Sequence, residues 1–130
     1  MYELLIKKSF DAAHKLCGYQ GDCANVHGHT WTVEVAVCGS ELNSIGMLID
    51  FKELKVVVAS VVDQLDHNYI NDLPAFSANG EEGNPTAENL SRYIYNHVKH
   101  NLQQSHPGIK VAKVKVWESP TSCASYWEED

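Results

Sequence analysis

The sequence predicts an α+β fold in which a four-stranded antiparallel sheet, in the chain order ββααββ, carries two helices on one face. Hydrophobic and polar residues alternate near both ends of the chain, and two central stretches repeat hydrophobic residues every three to four positions. Strand pairs that flank two helices are typical of such a sheet. The 130 residues contain no internal repeat or linker-like stretch, so we expect one continuous domain over residues 1–130.

Alternation predicts the first two strands. Residues 2–14 and 29–38 both have the period of two that places successive side chains on opposite faces of a strand. The faces that we expect to be buried carry Tyr2, Leu4, Ile6, Phe10, Ala12 and His14 in the first strand, and Trp31, Val33, Val35 and Val37 in the second. A histidine therefore ends the apolar face of the first strand.

A helical period follows in residues 51–65 and again after Thr86. One side of the first predicted helix carries Leu54, Val57, Val58, Val61, Val62 and Leu65. Because valine is a poor helix former, packing must hold this helix. Thr86 is a suitable N-cap for the second helix, which runs through Leu102 and ends at Pro107-Gly108.

Two more strands are predicted at residues 110–118 and about 123–128. One face of the first carries Ala112, Val114 and Val116, and the other carries Lys113, Lys115 and Trp117. Glu118 continues the apolar face, where a carboxylate is rare unless it has a partner. It is either solvated at the strand end or accepts two hydrogen bonds from an amidine-like pair of donors on a ligand.

Composition excludes several classes of protein. Seventeen acidic against ten basic residues give a net charge of -7, which argues against a nucleic-acid-binding surface. The longest aliphatic run, Val56-Val57-Val58-Ala59, is far short of the ~20 apolar residues of a membrane span. The N-terminus has no signal-peptide pattern. We therefore expect a cytoplasmic protein with neither nucleic acid nor membrane as a partner.

The four cysteines are Cys17, Cys23, Cys38 and Cys123. A chain of this length buries roughly two-thirds of its unfolded surface and needs no disulfides to fold, so we expect free thiols. Cys17 is interpreted as structural and Cys38 as part of the core. A disulfide-linked secreted domain is the alternative.

His27-Gly28-His29 is the strongest local signal for a site. Residues two apart on a strand share a face, roughly 6.5–7 Å apart along the chain, and two imidazoles at that spacing can bind one ion. A hairpin of the first two strands would set His14 opposite His29. Three histidines leave a fourth position open, as in catalytic zinc sites, so we expect Zn²⁺ rather than copper or iron. The alternative is histidines that are exposed or satisfied within the core.

Cys23 lies four residues before His27 and is a candidate for a fourth zinc ligand, a free buried thiol or a general base. As a base it needs activation, because only about 3% of an ordinary thiol is ionised at pH 7. Asp66-His67 directly follows the first predicted helix. There the carboxylate can orient the imidazole and raise its basicity, or the histidine simply complements the helix dipole.

Taken together, these residues resemble the 6-pyruvoyl-tetrahydropterin synthase family, and within it the bacterial 6-carboxy-tetrahydropterin synthase branch of queuosine biosynthesis. The resemblance spans nearly the whole chain. It is carried by Phe10-Asp11-Ala12-Ala13-His14, Cys23-x-x-x-His27-Gly28-His29, Gly46-Met47-Leu48-Ile49-Asp50-Phe51, Leu65-Asp66-His67, Pro85-Thr86-Ala87-Glu88-Asn89 and Trp117-Glu118. The three-residue gap between Cys23 and His27 is similar to that of the queuosine branch.

The resemblance implies a T-fold that assembles into β-barrels, as a homohexamer of two trimers with active sites between subunits. It also implies the substrate 7,8-dihydroneopterin triphosphate and a zinc-dependent lyase that forms 6-carboxy-5,6,7,8-tetrahydropterin, acetaldehyde and triphosphate. The implied metal ligands are His14, His27 and His29.

The implied catalytic residues are Cys23, Asp66 and His67, with Glu118 binding the pterin ring. Ser119 and Cys123 depart from the family pattern, which has threonine and commonly an aromatic residue there, so they leave fine specificity open. The alternatives are a 6-pyruvoyl-tetrahydropterin synthase, which stops after triphosphate elimination and tautomerisation, and a non-catalytic zinc- or pterin-binding module.

Overall fold

The predicted order of elements is confirmed in a computed structural model of the chain, which describes residues 1–18 and 24–129. Two short 3₁₀ turns, Ile70–Asp72 and Pro74–Phe76, lie between the helices. The strands and helices are β1 (Tyr2–His14), β2 (His27–Gly39), α1 (Phe51–Val62), α2 (Ala87–Ser105), β3 (Lys110–Ser119) and β4 (Ser122–Tyr126).

The four strands form one antiparallel sheet, as predicted, and their order in it is β1-β2-β3-β4. One of its faces carries the hydrophobic core together with both helices. The even-numbered face of β1 and the odd-numbered face of β2 meet there, with Phe10 and Trp31 as stacked aromatic neighbours. Trp31 also donates its indole N–H to the carbonyl of Ala12 at 3.2 Å, so the buried nitrogen is satisfied.

A β-bulge corrects the predicted faces of β3. The register of β2 on β3 shifts between Ala36 and Val37, so that Ala36 pairs with Lys113 and Val37 with Val111. Ala112 is the extra residue, and it lies with Lys113 on the sheet face that the helices leave uncovered. Val111 takes its place in the core. The assignment of Ala112 to the apolar face was therefore wrong, whereas Val114 and Val116 are fully buried as predicted.

Cys38 also lies outside the predicted core. The side chains of β2 that enter the core are odd-numbered, and Cys38 pairs with Glu3 on the opposite face, where it is only half-buried. Cys17 and Cys123 are exposed thiols. The parity of the strand, which places successive side chains on opposite faces, decides this position.

Each helix begins directly after an N-cap residue, which is Asp50 for α1 and Thr86, as predicted, for α2. The Asp50 carboxylate accepts from the backbone N–H of Lys52, and the Thr86 hydroxyl accepts from that of Asn89. The first helix ends at Val62, earlier than predicted, and the chain continues in turns to His67, which has a positive φ of 57°. Leu65 is still completely buried, because the turns keep it against the core.

Neither α-helix in residues 1–18 and 24–129 combines the length and the apolar character that crossing a membrane requires.

The bulge can be tested with a matched pair of substitutions. We expect Val111→Ser to lower the free energy of unfolding by about 2–3 kcal/mol, because it removes buried apolar surface and adds a hydroxyl to the core. Ala112→Ser should change it by less than about 0.5 kcal/mol, because that side chain lies outside the core. Urea unfolding followed by circular dichroism measures both, and the reverse ranking would contradict the assigned faces.

Candidate functional site

The structure brings the three predicted histidines together at one end of the β1–β2 pair. His14 lies directly opposite His27, which corrects the expected pairing with His29, and His29 is two residues further along β2 on the same face. One ligand nitrogen from each ring lies within 4.8 Å of the others. The edge of the Trp31 ring system packs against His14 and His29, with ring centroids 4.9 and 5.2 Å away.

Backbone carbonyls set the tautomers of two of the rings. Nδ1 of His14 lies 2.7 Å from the carbonyl oxygen of Pro85, and Nδ1 of His27 lies 2.7 Å from that of Asn25. A carbonyl can only accept a hydrogen bond, so both Nδ1 atoms carry the proton and donate it. The Nε2 lone pairs of these two rings are therefore free to bind a ligand, which is the arrangement that metal-binding histidines adopt.

Two nitrogens of the three-histidine cluster are buried without a hydrogen-bond partner among the described residues. They are Nε2 of His14 and Nε2 of His29. An unpaired buried polar atom is costly, so two such nitrogens in one cluster are suited to binding a shared ligand. Burial also lowers the pKa of both imidazoles, which favours the neutral form that a metal needs. Three convergent imidazole nitrogens fit a divalent transition-metal ion, and their role as ligands stays a prediction.

Glu118 lies at the rim of this cluster. It occupies the end of β3, where the register with β4 shifts between Trp117 and Ser119. Its Oε1 is 3.5 Å from Nε2 of His29, and its side chain is 34% exposed. Glu118 thus lies beside the three histidines with its carboxylate accessible to a ligand, and its role in binding one stays a prediction.

Asp66 and His67 lie in contact on the other side of His29. Nδ1 of His67 is 3.0 Å from Oδ1 of Asp66, and the backbone N–H of Asp11 donates to the same oxygen at 3.0 Å. The Asp11 N–H, followed by the His67 ring, lowers the pKa of the Asp66 carboxyl below its ordinary value. The His67 side chain is 77% exposed, so its ring is accessible to solvent or to a ligand.

Two clefts meet at Gly28, His29 and Thr30. One has a volume of about 600 Å³ and is bordered by Asp11, His67 and Tyr69. The other has a volume of about 590 Å³ and is bordered by Lys7, Trp117, Glu118 and Ser119. His29 therefore stands between a general acid–base candidate and a candidate ligand-binding carboxylate.

Cys23, the remaining predicted residue, lies outside the described residues. Pro85 was not among the predicted site residues, although its carbonyl orients the His14 ring across 71 positions of the chain. A backbone carbonyl has no side-chain signal, and only the Thr86 N-cap and the motif Pro85-Thr86-Ala87-Glu88-Asn89 pointed to this segment.

Comparison with known proteins places the site in context. A model of the protein family described as 6-pyruvoyl tetrahydropterin synthase matches residues 3–129. The 6-carboxy-5,6,7,8-tetrahydropterin synthase of Haemophilus influenzae is 34% identical over 146 aligned residues, which cover 98% of this chain and 100% of that protein. The protein of the same name from Bacillus subtilis is 37% identical, with 82% and 70% covered.

Other proteins to which this chain is similar have different names. The dihydroneopterin monophosphate aldolase of Pyrococcus furiosus is 35% identical and covers 88% of each chain. Among solved structures, the 6-pyruvoyl tetrahydropterin synthase of Caenorhabditis elegans superposes with a TM-score of 0.81 at 25% identity, covering 98% of this chain and 96% of that one. A catalytic-residue variant of the Plasmodium vivax 6-pyruvoyltetrahydropterin synthase gives 0.77 at 25% identity, covering 99% and 98%.

The low pKa of Asp66 predicts an acid-dependent contribution to stability. The unfolded carboxyl binds a proton at a higher pH than the folded one, so the ionised group stabilises the fold above its unfolded pKa of about 4. That contribution is lost as the pH falls through the folded pKa. We expect Asp66→Asn, which keeps an oxygen acceptor but loses the charge, to be less stable than wild type at pH 7 and to approach it at pH 3.

Urea unfolding at the two pH values measures this difference, and matching far-UV circular dichroism spectra at pH 7 serve as the control for folding. A stability difference that stays constant between pH 7 and pH 3 would show that the charge of Asp66 is not involved.

Proposed function

Because this chain belongs to the 6-pyruvoyl tetrahydropterin synthase family, we propose that it is a 6-carboxy-5,6,7,8-tetrahydropterin synthase of queuosine biosynthesis. The reaction converts 7,8-dihydroneopterin triphosphate and water to 6-carboxy-5,6,7,8-tetrahydropterin, acetaldehyde and triphosphate. The names and coverage of the Haemophilus and Bacillus relatives support this choice within the family. The observation that carries it is the convergence of three histidines, two of which have buried nitrogens without a partner in the described part of the chain, with His29 bordering both clefts.

His14, His27 and His29 would hold the zinc ion through their ring nitrogens. When bound, the ion supplies Lewis acidity that polarises the hydroxyls of the substrate side chain and acidifies the neighbouring C–H bonds. The Pro85 and Asn25 carbonyls keep the protons of His14 and His27 on Nδ1. They thereby present both Nε2 atoms in the form that binds a metal.

Proton transfer is assigned to Cys23 and His67. We propose that the Cys23 thiolate removes a proton from a side-chain carbon of the substrate, a role based on the family resemblance of its position. Nδ1 of His67 faces the Asp66 carboxylate, so we assign the acceptance and return of protons in the first cleft to Nε2 of the exposed ring. Oxidation of the side chain balances reduction of the ring, so the reaction uses no separate redox cofactor.

Glu118 is proposed to bind the pterin ring. A carboxylate can accept two parallel hydrogen bonds from the ring N–H and the 2-amino group, and charge-assisted pairs of this kind are strong and directional. Its position beside His29, at the meeting point of the clefts, would set the pterin side chain against the metal centre.

The assembly is also a proposal. We propose a cytoplasmic homohexamer of two trimers, in which the sheets join into β-barrels and the active sites lie between subunits. The sheet supports this because β1 and β4 are its two edges, and strand edges tend to pair with other chains.

A second candidate is a 6-pyruvoyl-tetrahydropterin synthase, which uses the same residues and stops after triphosphate elimination and tautomerisation. The match to the Caenorhabditis structure, with a TM-score of 0.81, favours keeping it. A binding module without catalysis is the remaining alternative, but it would have no use for the Asp66–His67 pair.

The test of the proposed function is product identification. Purified protein, incubated with 7,8-dihydroneopterin triphosphate, should release acetaldehyde and 6-carboxy-5,6,7,8-tetrahydropterin, detected by mass spectrometry. A chelator should stop the reaction, and added Zn²⁺ should restore it, because three imidazoles without a metal leave the substrate unpolarised. A 6-pyruvoyl product would support the second candidate, and no turnover with a fully loaded metal would support the binding module.

Cys23→Ala should lower kcat at least about a hundredfold, the usual loss when a general base is removed, with metal content unchanged. Metal is measured by atomic emission and turnover by acetaldehyde release. Cys38→Ala is the control, since that thiol lies on the far face of the sheet. Loss of metal from the Cys23 variant would instead identify this residue as a fourth ligand, and full activity would remove it from the mechanism.

Glu118→Gln should weaken pterin binding by roughly ten- to a hundredfold, because one carboxylate acceptor becomes an amide donor and the charge is lost. Isothermal titration with a non-reacting pterin measures the affinity. Glu41→Gln, at an exposed loop position, provides the matched control. Equal affinities for the two variants would exclude Glu118 from the pterin site.

A further inference from the structure

We propose that Asn71 and Asn84 are positioning residues for the metal centre. Their side-chain amides extend the hydrogen-bonded edge of β1 beyond its last residue and hold the backbone that carries His14. This inference rests on the proposed function, because it concerns the same three-histidine site.

On the edge of β1 that faces away from β2, the backbone is hydrogen-bonded at every second residue from Asp11 onward. The backbone N–H of His67 donates to the carbonyl of Asp11 at 2.6 Å, and that of Ala13 donates to the carbonyl of Asn68 at 3.1 Å. A parallel bridge between Ala13 and Tyr69 belongs to the same set. The segment after α1 therefore runs along the end of β1 as an irregular partner.

Side chains continue this pairing where the main chain leaves it. Oδ1 of Asn71 accepts from the N–H of Lys15 at 2.9 Å, and its Nδ2 donates to the carbonyl of Lys15 at 2.9 Å. Asn84 does the same for Cys17, at 2.9 and 2.8 Å. A carboxamide offers one acceptor and a donor in one plane, as a peptide group does, so each side chain replaces one residue of a partner strand.

These contacts lie on both sides of His14. Pairing of β1 with β2 ends at His14 and His27, so residues 15–17 have no partner strand in the described structure. Main-chain pairing at Ala13 and the Asn71 amide at Lys15 fix the two residues that flank the ligand. The backbone of His14 is thereby held from both directions.

Asn84 connects this edge to the first turn of α2. Its carbonyl accepts from Nδ2 of Asn89 at 2.9 Å and from the backbone N–H of Thr86 at 2.9 Å. The next residue, Pro85, supplies the carbonyl that orients the His14 ring. One short segment therefore holds both the ring of His14 and the chain that follows it.

The exposure of Lys15 and Cys17 allows a positioning role of Asn71 and Asn84 to be distinguished from a stabilising one. Lys15 and Cys17 are exposed, so water can replace the lost hydrogen bonds when an asparagine is removed. The cost in stability is then small, whereas the freedom gained by the His14 backbone acts directly on the metal. Groups that orient metal ligands typically change metal affinity 10–100-fold when they are removed.

The experiment compares Asn71→Ala and Asn84→Ala with Asn43→Ala, after metal is stripped with a chelator and Co²⁺ is titrated back. Asn43 is a matched control: its Oδ1 accepts from the backbone N–H groups of Ile45 and Met47 in the loop before α1. We expect wild type and Asn43→Ala to bind one Co²⁺ per chain with equal affinity and equal visible spectra. Both site variants should bind about tenfold or more weakly, with shifted d–d absorption bands.

Each outcome decides one question. Wild-type affinity and an unchanged spectrum in both folded site variants would overturn the positioning role and leave the proposed function intact. A wild type that binds no Co²⁺ would overturn the metal centre and this inference with it. If Asn84→Ala does not fold, Asn84→Asp replaces it, since the carboxylate still accepts from Cys17 but repels its carbonyl oxygen, and the same weakening is expected.

Discussion

The site depends on the register of the antiparallel pair formed by β1 and β2. That pairing runs from Tyr2 and Gly39 to His14 and His27 without a break. Because side chains alternate between faces, a slip of one residue would turn the imidazoles of one strand away from those of the other. The same slip would expose Phe10 or Trp31, so the energy of the core also enforces the geometry of the three-histidine cluster.

The histidine rings at the end of the β1–β2 pair are polar groups at the edge of the core, so they need hydrogen-bond partners or a bound ligand. The carbonyls of Pro85 and Asn25 each accept a ring proton, which satisfies half of the hydrogen-bonding capacity of His14 and His27. The Nε2 atoms of His14 and His29 remain buried without a partner among the described residues. Two imidazole nitrogens of the described residues are thus available at one point of the fold, and a metal ion of suitable size would bind both.

The functional groups around the three histidines lie on two different sides of His29. His29 lies between the Glu118 carboxylate and the cleft that contains the His67 ring. A ligand bound by Glu118, as proposed, would lie against His29 with the exposed His67 ring on its far side. Asparagine amides and the start of α2 hold the end of β1 within this arrangement, so the segment after α1 and the segment before α2 both belong to the site.

Local periodicity was enough to predict the α+β class, the element order and the shared face of His14, His27 and His29, since each of these follows from alternation or helical spacing within one segment. Other features could not be predicted from local periodicity. The bulge at Ala112 and the early end of α1 at Val62 are decided by how strands and helices pack, whereas the outward position of Cys38 follows from the alternation of β2 itself. The contacts of Pro85, Asn71 and Asn84 join residues 56 to 71 positions apart. Such contacts exist only once the chain has folded, because a carbonyl or an amide finds its partner through space and not through spacing in the sequence.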